Sequence, residues 1–175
     1  MNFCSHCGHP VELRNVPDDE RPRHVCISCQ TIHYQNPKIV CGCLATWQDR
    51  ILLCRRAIEP RLGYWTLPAG FMENGETTLQ GALRETWEEA QAHVTDAQLY
   101  CVFNIPSISQ VYLMFGGEMT SEQHSSGTES LETALFSEKD IPWHSLAFPA
   151  VRSTLDYYLE DRKTNSYPLH MADLG

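Results

Sequence analysis

Residues 70 to 92, GFMENGETTLQGALRETWEEAQA, constrain this chain more tightly than any other stretch. Leu79, Ala82, Leu83, Thr86, Trp87 and Ala90 recur at the spacing of one buried helical stripe, and Thr77 with Gln80 three residues on predicts a capping box at the helix start. The other face carries Glu85, Glu88 and Glu89 within a single turn. Like charges at that spacing repel by roughly 0.2–0.5 kcal/mol per pair, and they lie toward the helix C-terminus, where the macrodipole disfavours anions. Arg84 is expected to offset only one of the three, and Gly81 to leave open space beside Glu85. Two readings fit such a turn: a solvated acidic face, or a hard-cation site with oxygen ligands.

The stretch resembles the Nudix box: a glycine, five residues, a glutamate, seven residues, then Arg-Glu-aliphatic-x-Glu-Glu-x-Gly-aliphatic. Gly70, Glu76, Arg84, Glu85, Glu88 and Glu89 all fall in register. Thr86 replaces the usual aliphatic residue and Gln91 the last glycine. If that last position needs a positive φ, a side chain there costs on the order of 1 kcal/mol, but no carboxylate is missing. The resemblance implies Glu85 and Glu89 as ligands of Mg²⁺ or Mn²⁺, with Glu88 sharing the metal or polarising water. It implies the Ala69 carbonyl as a further ligand, Arg84 as the group orienting the carboxylates, and Glu76 as an anchor of the loop or a second metal.

The N-terminus carries a second signal. Cys4 and Cys7 form one CxxC pair and Cys26 and Cys29 another, separated by eighteen residues, the pattern of a tetrahedral four-thiolate Zn²⁺ site. The intervening VELRNVPDDERPRH is too polar to build a core, so metal would supply much of this module's folding free energy. The competing reading is two incidental CxxC pairs. Charges in that loop nearly cancel, which favours a structural role over a basic nucleic-acid surface.

Length and charge narrow the partners. The 175 residues suffice for one well-buried domain with a small accessory module. Net charge of −9 argues against long nucleic acid, though not against a small phosphate ligand. No run is long enough to cross a membrane, and MNFCSHCGHP has no secretory signature, so a cytoplasmic protein is expected. Cys41, Cys43, Cys54 and Cys101 sit in apolar runs and are read as buried thiols.

The expected organisation is a zinc ribbon over 1–34, a Nudix domain over 35–163 and a polar, loosely held tail over 164–175. In the second segment KIVCGCLATW and RILLCRRA predict a hairpin turning at Gln48-Asp49, strands follow at 99–104, 110–115 and 131–136, a mobile polar loop fills 117–130, and 148–162 reads as a second amphipathic helix. The resemblance, which covers roughly 36–162, implies an α/β/α sandwich with a mixed sheet. A ribbon before such a domain resembles two groups. NADH pyrophosphatases carry a Ser-Gln-Pro-Trp-Pro-Phe-Pro-x-Ser segment where this chain has NIPSISQVY. The bacterial and plant plastid enzymes that hydrolyse ADP-ribose and FAD are matched by YQNPK, LLCRRAIEPRLGYWTLPAGF and LAFPAVRSTLDYYLED, and Pro106 sits near a proline typical of ADP-ribose pyrophosphatases.

That likeness makes a nucleotide diphosphate the expected substrate and a homodimer the expected assembly, with a silent nucleotide-binding module and a hydrolase of damaged nucleoside triphosphates as the other readings. For substrate contacts, Gly70 joins four softer candidates. Of Arg55 and Arg56 only one can face a pocket, because strand side chains alternate. Tyr64 and Trp65 either stack on a base or belong to the core. Glu129 resembles the late-loop acid that some ADP-ribose hydrolases use as general base, with Glu132 as its rival.

Overall fold

The computed structural model describes residues 1–175, which divide into two compact units, Met1–Asn36 and Pro37–Gly175. The first is a three-stranded antiparallel sheet of β1 (Val11–Arg14), β2 (Arg23–Cys26) and β3 (Ile32–His33). Its polar middle is tied down locally: Arg23 makes two hydrogen bonds to Asp19, at 2.7 and 2.9 Å, and lies over the Tyr34 ring.

The second unit opens with a hairpin of β4 (Lys38–Trp47) and β5 (Arg50–Arg56), reversing at Gln48, whose φ is 57°. Two short strands follow, β6 (Trp65–Thr66) on β5 and β7 (Ala69–Phe71) on β4, and then helix α1 (Thr78–Ala90). Next come β8 (Val94–Ile105), β9 (Gln110–Met119), β10 (Ser130–Phe136), helix α2 (Pro149–Thr164) and β11 (His170–Asp173). The sheet order is β10-β5-β4-β9-β8-β11, with β4–β9 and β8–β11 parallel and the remaining pairs antiparallel.

Side-chain alternation explains the layering. Cys41, Cys43 and Ala45 of β4, with Leu52 and Cys54 of β5, face α1, whereas Leu44, Ile51 and Leu53 face α2. With helices on both faces, β4 and β5 read as continuous apolar runs. The four thiols of the sheet are all buried, as expected. No helix is long and apolar enough to cross a membrane.

Four features differ from expectation. Residues 170–173 are not part of a loose tail: β11 pairs with β8, and His170 bonds Asp161 at 2.7 Å while stacking on Tyr157 at 4.0 Å. The segment after β9 is docked on the end of α1 through Ser125 N–H to the Ala90 carbonyl and Gly127 N–H to the Glu89 carbonyl, supplying donors to carbonyls that a helix terminus leaves unpaired. Trp87 leaves the buried stripe, 47% exposed, and stacks on His93. Gly81 faces the Glu76 carboxylate rather than empty space beside Glu85; a Cβ there would come within 2.8 Å of Glu76 Oε1.

Candidate active site and zinc centre

Helix α1 begins with the capping box: Thr77 Oγ1 accepts from Gln80 N–H at 3.2 Å, and Gln80 Oε1 accepts from Thr77 N–H at 2.8 Å. It ends at Gln91, whose φ of 48° is the left-handed value for which a glycine is suited. Thr86, at the usual aliphatic position, is buried and returns its hydroxyl to the Ala82 carbonyl, so no polar atom is orphaned.

Between these ends the acidic turn packs on β7. Gly70 is required there because a Cβ would overlap the Glu85 carboxylate. Glu89, 5% exposed, accepts the Ala69 N–H at 3.2 Å. Burial raises the carboxyl of Glu89 to about 8 against this hydrogen bond, and burial also raises Glu85, opposed by Arg84. Glu88 is more than half exposed.

Arg84 does more than offset one carboxylate. Its Nε and Nη2 form a fork on Glu76 at 3.0 and 2.8 Å, Nη1 bridges Glu85 at 2.7 Å and Glu88 at 3.0 Å, and Nη2 also reaches the Phe71 carbonyl. Hydrogen bonds from Arg84 and the Glu73 N–H hold Glu76 down at about 2. Glu76 thereby pins the loop before the helix, and Arg84 fixes the rotamer of Glu85.

These groups form one wall of a cleft of about 1010 Å³. Arg56 lies in it and Arg55 does not. The Arg56 guanidinium, on a side chain only 9% exposed, lies over the Phe148 ring and bonds the Pro60 carbonyl through Nε at 2.8 Å; its Nη groups make no hydrogen bond within the protein. Arg55 points outward to the Gly63 carbonyl and, at 3.5 Å, to Glu132, so that arginine and that glutamate neutralise one another away from the cleft. Glu129 lines the cleft, near enough that its charge helps raise Glu89.

Neither Tyr64 nor Trp65 lines the cleft, so of their two readings the stacking one is not met. Trp65 packs edge-on to Phe136 in the core, 4.9 Å between centroids, and Tyr64 lies under Arg61 outside the cleft. The aromatic lining comes instead from Phe71, Trp87, Tyr112 and Phe148. Tyr112 and Phe148 are contributed by β9 and by the residue preceding α2, which no local pattern brings to the box; Phe71, beside Gly70, and Trp87, on α1, lie within the motif itself.

In the first unit the sulfurs of Cys4, Cys7, Cys26 and Cys29 all lie within 4.8 Å of one another, with Cys4–Cys29, Cys7–Cys26 and Cys7–Cys29 at 3.7, 3.4 and 3.3 Å. A ZnS₄ tetrahedron with Zn–S near 2.3 Å has edges of about 3.8 Å, so the sulfurs fit Zn²⁺ with little adjustment. Backbone N–H groups of His6, Ser28 and Cys29 point at the sulfurs of Cys4 and Cys26 at 3.4 Å, and His33 Nε2 lies 3.2 Å from Cys4 Sγ. The carboxylates of α1 are not gathered in this way, and the Arg84 guanidinium lies between Glu85 and Glu88. The buried Glu89 and the partly buried Glu85, both with raised pKa values and one turn apart, nonetheless suit Mg²⁺ or Mn²⁺.

Comparison with known proteins follows the same division. Residues 2–35 match the Nudix N-terminal zinc-ribbon model and residues 36–153 the NUDIX domain model. A crystal structure of a NUDIX hydrolase from Nitrosomonas europaea is 47% identical with a TM-score of 0.92, covering 99% of this chain and 100% of that one. An ADP-ribose pyrophosphatase from Streptococcus suis is 17% identical with a TM-score of 0.61 over 78% of this chain and 100% of that one, a likeness of fold. The NAD-capped RNA hydrolase NudC of Edwardsiella ictaluri is 39% identical over 93 residues, 53% of this chain and 34% of that protein. The chain thus matches about a third of that relative's length.

Proposed function

The chain belongs to the Nudix family and is a Nudix hydrolase with the family's N-terminal zinc ribbon; on that premise we propose that it splits the diphosphate of ADP-ribose or FAD into AMP and a phosphorylated remainder. The observation that carries the reading is the pairing, across one cleft, of the buried Glu89 and the partly buried Glu85 with a buried arginine whose Nη groups are unspent. The volume, about 1010 Å³, stands at the upper end of small-molecule sites and suits a dinucleotide-sized ligand.

In this reading Glu85, Glu89 and the Ala69 carbonyl hold Mg²⁺ or Mn²⁺, with Glu88 at its exposed side. The bound cation supplies positive charge at the phosphate oxygens and lowers the pKa of bound water. Arg84 keeps Glu85 in place, and Gly70 leaves room for it. Arg56 takes the negative charge of the diphosphate through its Nη donors, stiffened by Phe148 and by the Pro60 carbonyl. Glu129 accepts the proton of the attacking water. Phe71, Tyr112 and Phe148 offer flat faces to the adenine or flavin. The chemistry demands positioning and charge more than covalent participation.

A second reading is cleavage of an NAD(H)-type dinucleotide, favoured by the name of the Edwardsiella relative and opposed by NIPSISQVY standing in place of the NADH-pyrophosphatase segment. Purified protein is incubated with ADP-ribose, FAD or NADH under Mg²⁺ or Mn²⁺, and AMP is measured by chromatography. AMP from either of the first two is expected; AMP from NADH alone selects the second reading, and none from any rejects both. Arg56→Ala is expected to raise KM by about ten- to a hundredfold, the scale of a lost charge-assisted hydrogen bond. The homodimer expected from the resemblance is carried forward as a proposal, checked by light scattering.

A further inference from the structure

The segment bearing Glu129 is held to the end of α1 by a contact that the usual Nudix box cannot make. Gln91 stands where that pattern has its last glycine and adopts the conformation the glycine would adopt, φ 48° and ψ 33°. A glycine there is free of strain and has no side chain; a glutamine accepts strain and brings an amide. The Ser125 hydroxyl donates to Gln91 Oε1 at 2.6 Å, the one side-chain hydrogen bond between residues 120–129 and α1 with its cap.

Around this bond the backbone is closely fitted. Ser125 N–H reaches the Ala90 carbonyl at 2.9 Å and Gly127 N–H the Glu89 carbonyl at 3.0 Å. Gly127 lies so close to the Glu88 carbonyl that no Cβ fits between them. On the far side the Ala57 N–H donates to the Glu129 carbonyl at 2.8 Å. Gln91, Gly127 and Glu129 all line the cleft.

We propose that Gln91 is a positioning residue: through Ser125 it latches the 125–129 segment onto the end of α1 and so sets Glu129 opposite Glu85 and Glu89. The catalytic part of this inference rests on Glu129 acting as general base, as proposed above; the latch itself does not. The two backbone bonds set the register of the segment, and the hydroxyl-to-amide bond adds a side-chain tether at its Ser125 end. Small displacements of a catalytic group carry large penalties in rate.

Gln91→Gly and Ser125→Ala, singly and together, are compared with the full-length protein, using NMR amide exchange at Ser125 and Gly127, the melting temperature, and kcat and KM for whichever dinucleotide is turned over. Gln91→Gly should melt no lower than the parent, because glycine suits the left-handed conformation. Its two loop amides should exchange about tenfold faster and kcat fall about tenfold with little change in KM. Ser125→Ala should do the same, and the double variant no more than either single, since both remove one shared contact. Unchanged exchange in both single variants overturns the latch, as does additive loss in the double. Faster exchange at unaltered kcat overturns the positioning role, provided Glu129→Gln lowers the rate. If Glu129→Gln leaves the rate alone, it is the general-base reading that falls, and exchange by itself then decides the latch.

Discussion

Glu89 is held to about 8 because a carboxylate buried against β7 loses more hydration than one Ala69 N–H restores. In the metal-free protein the unfolded chain releases this proton at the ordinary carboxylate value and the folded chain only near 8. The group's contribution to stability is therefore complete below the unfolded pKa and is lost as pH rises through the folded one. Glu85, also raised, acts in the same sense. Glu76, held at about 2, has the opposite sign: its contribution is present above the unfolded value and is lost only in acid, outside this window. The melting temperature of chelated protein should thus fall between about pH 5 and about pH 8, and Glu89→Gln should flatten most of that fall. A flat profile for the unsubstituted chain would show that burial is not what governs Glu89. The three glutamates were legible as a group from their spacing. That one is buried, one partly buried and one exposed was not, because the choice depends on where β7 lies.

At the scale of elements, α1 and the zinc ribbon are the parts most plainly written in the chain. Thr77 and Gln80 mark the helix start, and the capping box forms as the spacing predicts. Two CxxC pairs bring four sulfurs together around a polar loop with no core of its own. Structural zinc in such modules is worth about 10–16 kcal/mol at neutral pH, more than a unit of this size gains from burial. One zinc per chain is expected by elemental analysis. Its removal by a thiol-selective chelator should release the amides of 1–36 to rapid exchange while those of β4 and β9 stay protected. Ribbon amides that remain slow after complete metal loss would mean that the sheet stands without the ion. The aromatic dipeptide Tyr64-Trp65 left two readings open for the converse reason. Its composition suits a stacking platform, but β6 turns Trp65 against Phe136 and gives the cleft to Phe71 and Phe148.

For the whole molecule the clearest revision is the C-terminus. Residues 164–175 read as a polar, loosely held tail, and β11 exposes Met171 at one edge of the sheet. Yet Asp161 accepts from Tyr100 at 2.6 Å and pairs with His170 at 2.7 Å, and those bonds hold its carboxyl low although burial alone would raise it. Truncation after Thr164 should cost roughly 2–3 kcal/mol, a drop in melting temperature of about 5–10 °C, measured by calorimetry. A truncated chain melting with the parent would show that β11 only decorates the edge.

Periodicity and spacing, which are local quantities, determined by themselves the hairpin at Gln48, the start of α1, the acidic turn, the thiol cluster and a second helix over 148–162, observed at 149–164, and the box with its ribbon pointed to the family. Which arginine of Arg55 and Arg56 meets the cleft, which aromatics line it, and how Gln91 uses its side chain were decided only by the tertiary structure. Each of those depends on pairing between segments tens of residues apart, β5 with β10, β4 with β9, the end of α1 with residues 125–129, and a one-residue change of register on a strand reverses the direction of every side chain along it.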